Sequence, residues 1–170
     1  MWKVKDLSKG IHLVCFFGLG LSYYAYVVET AKEHDENYVA MCDISEHMSC
    51  SKAFMSPYGK GFGLIRHIFG EDSFLNQPNS IGGMIFYVII IGLNVVNNPS
   101  IVKLMTLLAA VSNLASVYLA CILYFVLYDF CFVCVSTYVV NFLLLILCIL
   151  KMQKVQRVQS PGKPMQKKRD

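Results

Sequence analysis

Between Lys9 and Glu29 the chain carries no formal charge, and the same holds between Asp72 and Lys103, Lys103 and Asp129, and Asp129 and Lys151. A helix needs about 20 apolar residues to cross a bilayer. Four spans therefore fit, near 10–30, 80–97, 101–127 and 130–150. Hydrophobic residues make up 56% of the 170 and charged residues 15%, against about 45–50% and about 25% in soluble domains. The mean hydropathy of +0.52 agrees. The sequence thus predicts an all-α membrane protein, a four-transmembrane-helix bundle. Its net charge of +4 belongs to membrane flanks and not to a nucleic-acid-binding face.

The first span follows Lys3, Lys5 and Lys9 as a signal peptide would. However, no small-residue cleavage site follows "SYYAYVV", which favours a retained anchor. The second and third spans are joined by "NNPS", Asn97 to Ser100, a tight polar turn that predicts an antiparallel hairpin. Lys and Arg near the spans set orientation. Residues 1–9 hold three lysines and one acid, and 151–170 hold seven basic residues and one acid. Residues 31–79 hold four basic and seven acidic residues. Both termini are therefore expected in the cytosol and the 31–79 loop on the opposite, lumenal side, where short helices cap the bundle. Residues 1–150 form one domain on this reading, and 151–170 a basic tail.

Seven cysteines divide by position. Cys15, Cys121 and Cys148 lie inside apolar spans and read as small buried hydrophobes. Cys42, Cys50, Cys131 and Cys134 sit at or beyond one membrane face, where an oxidising compartment permits disulfides. Two structural disulfides are the plain reading; a four-cysteine zinc site is another, but nothing at a membrane edge calls for a structural metal. If "AMCDISEHMSCSKAF" is helical, Cys42 and Cys50 stand about 12 Å apart, beyond the Cα separation of about 7 Å that a disulfide allows. They would then bond only where that helix breaks, as suits an electron shuttle. Asp129 is positioned to cap the fourth helix, which puts Cys131 in its first turn, where the helix dipole favours a thiolate. Along the same face follow Cys134, Tyr138 and Asn141. Polar groups on a membrane helix usually face the bundle interior or a site, and Asn141 has no evident role.

The stretches "MCDISEHMSCSKAF", "GKGFGLIRHIFGEDSFLNQPNS", "SVYLACILYFVLYDFC" and "CFVCVSTY" carry a resemblance over roughly residues 8–150. The chain is similar to the vitamin K epoxide reductase family, vertebrate members in particular. That resemblance implies an endoplasmic-reticulum enzyme that reduces vitamin K epoxide, and the quinone, in the cycle serving gamma-carboxylation. It implies catalytic Cys131 and Cys134, with Cys134 attacking the substrate and Cys131 resolving the adduct. It also implies a relay through Cys42 and Cys50, with disulfides Cys42–Cys50 and Cys131–Cys134 and a transient Cys50–Cys131 bond. Asn79 and Tyr138 match residues that hydrogen-bond the two ring oxygens, and Phe54 an aromatic that covers the pocket. Phe86, Leu119, Leu123 and Val133 match apolar lining positions. No tightly bound cofactor is implied. The partners implied are a lumenal thioredoxin-fold electron donor, the lipid bilayer and coumarin inhibitors such as warfarin. Gly82, Met84 and Tyr58 depart from the family's usual residues.

The bland roles stand beside these. Asn79, after Pro78, is placed to cap the second helix, Tyr138 to join an interfacial aromatic belt, and Phe54 to pack. "GKGFGLIRHIFG" is too short to span and reads as an interfacial anchor through Phe62, Leu64, Ile65, Ile68 and Phe69. Lys167 and Lys168, four and three residues from the end, resemble a dilysine retrieval signal. Two other classes share features with this chain. A quinone-linked thiol oxidase would run the same cysteines towards disulfide formation. A four-span adhesion protein would carry a tryptophan-containing loop signature, but residues 31–79 contain no tryptophan.

Overall fold

The computed structural model describes residues 3–45, 48–65, 70 and 76–159. The described residues are helical, with no strand. The elements are α1 (Val4–His34), α2 (Cys50–Met55), a 3₁₀ turn (Gly61–Gly63), α3 (Asn79–Asn94), α4 (Pro99–Phe125) and α5 (Phe132–Gln159). Among the described residues, three helices are long and apolar enough to cross a membrane: Val4–His34, Pro99–Phe125 and Phe132–Val158. The second expected span is α3, an apolar helix of 16 residues, about 24 Å at 1.5 Å per residue. It ends sooner than the 80–97 run that predicted it, because the helix stops at Asn94 and Val95 and Val96 lead into the polar turn. Asn98 then caps α4 by accepting the Ser100 N–H at 2.9 Å, and Pro99 takes the first helical position, where its missing N–H costs nothing.

The helices pack in an order that differs from their order in the chain. α3 lies against α1, α1 against α5, and α5 against α4, whereas α3 and α4, joined by the short turn, touch little. Close contact of α1 with α3 depends on Gly18. A Cβ there would stand 2.3 Å from the Tyr87 ring, and Tyr87 is fully buried. The shared core comprises Ile11, Cys15, Tyr87, Ile90, Met105 and Leu144 among others. Cys15 and Cys148 are buried there as expected. Cys121, expected to be buried, is exposed on α4 and faces outward from the bundle.

At the end away from the cap, Lys151 is fully buried. Its ammonium donates to the Asn94 carbonyl at 2.8 Å and to Asn94 Oδ1 at 2.7 Å, which satisfies the C-terminal carbonyl end of α3 with a cation. Asn94 Nδ2 in turn donates to the Ser8 carbonyl at 2.8 Å. Outward-facing Phe16, Phe17, Leu114, Val117 and Phe142 are more than half exposed. Such an apolar exterior suits lipid as solvent. The fold is that of a multi-pass membrane protein. Of the anchor segment, Phe62, Leu64 and Ile65 are described; Ile68 and Phe69 lie outside the described residues, as do the dilysine and the rest of the tail from 160.

Candidate active site

The divergence of α3 from α4 leaves a cavity of about 410 Å³ at the cap end. α3 contributes Gly82, Gly83 and Phe86, and α4 contributes Val111, Leu119 and Leu123. α5 supplies Val133, Cys134 and Tyr138, while α2 and the following turn roof it with Phe54 and Tyr58. Every residue expected to bind or cover a ligand lines this one space: Asn79, Tyr138, Phe54, Phe86, Leu119, Leu123 and Val133. Its walls are mainly apolar with a few polar groups, the usual composition of a small-molecule site.

The cysteines fall into an order. Cys134 lines the cavity. Cys131 is bonded to it, with Cα atoms 5.2 Å apart, and is itself fully buried. It sits in an apolar cluster with Cys50, Ala25, Ala53, Leu123 and Val133. Cys50 is also fully buried and bonded to Cys42, with Cα atoms 5.8 Å apart. One sulfur of each pair is therefore enclosed in a common cluster.

Three sequence expectations are corrected here. The described residues between Cys42 and Cys50 form a turn and no helix, with Ser45 bridged to Met48, and α2 starts only at Cys50. The turn wins because Asp43 gathers the backbone. Its Oδ1 accepts the Ser49 hydroxyl at 2.9 Å and the Ser51 N–H at 3.0 Å, and its Oδ2 accepts the Ala40 N–H at 3.0 Å and the Ser51 hydroxyl. Aspartate competing for nearby backbone donors is a known alternative to helix. Partial burial pushes the Asp43 carboxyl up, but the hydrogen bonds from Ser51, Ala40 and Ser49 outweigh it and hold the group down at about 2, against an ordinary 3.8.

Asp129, expected to cap the last helix, does not. The Val135 N–H bonds the Cys131 carbonyl at 3.0 Å, and the Cys134 N–H bonds the Cys131 sulfur at 3.2 Å. Cys131 thus occupies the capping position and Cys134 the first turn, three residues on. Asp129 has another task. Its Oδ1 accepts the Ser49 N–H at 3.2 Å, and its Oδ2 lies 3.7 Å from Lys52 Nζ. This clasp ties the residue before Cys50 to the strand of chain that enters Cys131, and so brings the two disulfides together.

Asn79 is not a cap either, since Pro78 takes that position without a side-chain bond. The Asn79 amide instead donates to the Tyr58 carbonyl at 2.7 Å, and its oxygen accepts the Phe62 N–H at 2.9 Å. Phe62 holds a left-handed backbone (φ 57°), which the Asn79 bond helps fix. Asn141, without a role in the sequence, forms the cavity floor. It accepts the Tyr87 hydroxyl at 2.8 Å and donates to Ser116 Oγ at 2.9 Å, and its carbonyl accepts from Asn113 at 2.9 Å. Sequence reasoning also passed over Glu29 and Ser80, which line the cavity. The visible signal was a carboxylate placed directly at the end of the first charge-free run.

A family model described as "Vitamin K epoxide reductase family" matches residues 10–149. The chain is 48% identical over 138 residues to "Vitamin K epoxide reductase complex subunit 1" of Mus musculus, covering 81% of this chain and 86% of that protein. It is 45% identical over 148 residues to the Rattus norvegicus protein of the same name, covering 87% and 91%.

Proposed function

The chain belongs to the vitamin K epoxide reductase family, and we propose from that premise that it reduces vitamin K epoxide, and the quinone, with the Cys131–Cys134 dithiol. The observation that carries the reading is the asymmetry of this pair. Cys134 faces the cavity, while Cys131 is enclosed beside Cys50. An attacking thiol must reach the substrate; a resolving thiol must reach the attacking sulfur and the incoming electrons.

In the reduced enzyme, the Cys134 thiolate opens the epoxide and forms a carbon–sulfur bond. Cys131 then attacks Cys134 Sγ, the disulfide forms, and the ring leaves as quinone. Two thiols and one epoxide give one disulfide, one quinone and one water. The helix N-terminus favours thiolate in its first turn, where Cys134 lies. Oxyanion character develops on the ring oxygens, and donors fixed in a dry pocket stabilise it. Tyr138 and the remaining N–H of Asn79 supply them, with Phe54 as cover. Electrons arrive from a lumenal thioredoxin-fold partner at Cys42, pass to Cys50, and cross to Cys131 through a transient mixed disulfide. No tightly bound cofactor takes part. Coumarins such as warfarin occupy the same apolar cavity.

The lipid-facing exterior and the three long helices support insertion, and α3 is the fourth span of the bundle. Its shortness is offset by the cap above it and by local thinning of the bilayer. The positive-inside count places both termini in the cytosol and the cap in the lumen of the endoplasmic reticulum. The expected boundary at 150 falls inside α5, which runs to Gln159 with Lys151 and Val155 buried; the catalytic domain extends to the end of that helix, and the cytosolic tail follows it. A quinone-linked thiol oxidase would use the same sulfurs in reverse, and the direction of net flux distinguishes the two.

The test is epoxide turnover by the purified protein with dithiothreitol and then with a thioredoxin-fold protein as donor. Cys134→Ser is expected to be inactive with both. Cys42→Ala/Cys50→Ala is expected to stay active with dithiothreitol and fail with the protein donor. Full activity of Cys134→Ser would remove the mechanism.

A further inference from the structure

Glu29 closes the first apolar run and is 3% exposed, yet it lines the same cavity as Cys134 and Tyr138. Its Oε2 accepts the Ser80 hydroxyl at 3.2 Å. Its Oε1 is buried with no hydrogen-bond partner among the described residues. Such orphaned atoms are few in folded proteins, and each asks for a ligand, a catalytic role or strain to explain it. The charged groups that act on Glu29 are Lys60 and Glu33, paired with each other at 2.6 Å on the partly exposed rim.

The reductase reading, on which this inference rests, requires a proton at the substrate oxygen. Cys134 attacks as a thiolate and brings none. Asn79 is bonded to Tyr58 and Phe62, and Ser80 already donates to Glu29. Amides and alcohols are in any case poor acids at neutral pH, and an ordinary phenol titrates near 10. Among the described cavity-lining residues Glu29 holds the single carboxyl group.

We propose that Glu29 is a further catalytic residue, a carboxylic acid held by Ser80 whose free oxygen delivers a proton to the epoxide oxygen of the bound substrate. When Cys134 Sγ bonds to carbon, one carbon–oxygen bond breaks and the Glu29 proton goes to the freed oxygen. When Cys131 displaces the ring from Cys134 Sγ, the electron pair returns to the ring and expels that oxygen, which leaves with a second proton as water. The two protons are those the two thiols gave up on ionising, one of them returned to the Glu29 carboxylate for the next cycle. The thiols are oxidised to the disulfide and the epoxide is reduced to the quinone.

The test is kcat, KM and the pH–rate profile of the full-length protein with vitamin K epoxide and dithiothreitol. Glu29→Gln keeps shape and hydrogen bonding but carries no transferable proton. Its kcat is expected to fall on the order of 10²-fold, with KM within about threefold and one limb of the pH profile lost. Glu29→Asp is expected to recover part of kcat. Ser80→Ala, which leaves the carboxyl in place but loosens it, is expected to lower kcat at constant KM. Wild-type kcat and pH profile in Glu29→Gln, or wild-type kcat in Ser80→Ala, overturns the proposal. Cys134→Ser in the same assay separates the two layers: if it is inactive while Glu29→Gln is wild type, the proton role fails and the reductase reading stands.

Discussion

Cys134 and Cys131 are three residues apart and differ in everything except chemistry. One lines a cavity, the other is fully buried among apolar side chains. That Cys134, Tyr138 and Asn141 share one cavity was legible in the sequence through family resemblance and the stripe Cys131, Cys134, Tyr138, Asn141. The capping position of Cys131 was not, because Asp129 is the better intrinsic cap and only tertiary contact with Ser49 draws it away. Asp43 shows the same override. Its carboxylate, held at about 2, stabilises the Cys42–Cys50 turn when ionised. Since the folded group titrates below its ordinary 3.8, this stabilisation is complete above about pH 4 and lost as pH falls towards 2. Amide protection at Ala40 and Ser51, taken relative to intrinsic exchange at each pH, is expected to fall over that interval in the wild type. In Asp43→Asn this protection should be low throughout and independent of pH; an unchanged profile would remove Asp43 from its place as organiser of the turn.

Helix placement followed from charge-free runs because a bilayer leaves little choice of solvent for 20 apolar residues. Helix neighbours did not follow. The short "NNPS" turn argued for a tight α3–α4 hairpin, yet both helices pack chiefly elsewhere, and the seam between them holds the cavity. The decisive residues are small ones with no pattern of their own. Gly18 admits the Tyr87 ring, which draws α3 onto α1 and away from α4. Tyr87 then reaches Asn141, so the polar residue that had no role locks the floor of the site. Gly18→Leu overpacks this contact and is expected to cost about 1–3 kcal/mol, lowering the thermal midpoint in detergent. A midpoint equal to wild type would show that α1 and α3 approach less closely than described.

The molecule as a whole places thiol chemistry where two solvents meet. On the proposed reading the substrate is dissolved in lipid, which suits a cavity between membrane helices, and the electrons come from water-soluble thiols, which suits a cysteine pair held in the cap. The Ser49–Asp129 clasp joins the two halves by holding the Cys50 end of the loop against the entry to α5. The proposed function predicts a single topology, cap in the lumen and both termini in the cytosol. A glycosylation sequon inserted in the cap loop near Tyr38 is expected to be modified in microsomes, and one appended after Asp170 is not; the reverse pattern would invert the protein. The central claim is that Cys134 alone meets the substrate. Reduced Cys131→Ser, mixed with vitamin K epoxide and mapped by mass spectrometry without reductant, tests it most directly. The expected result is substrate mass on the peptide bearing Cys134. Substrate mass on Cys42 or Cys50, or none on any cysteine, would contradict it.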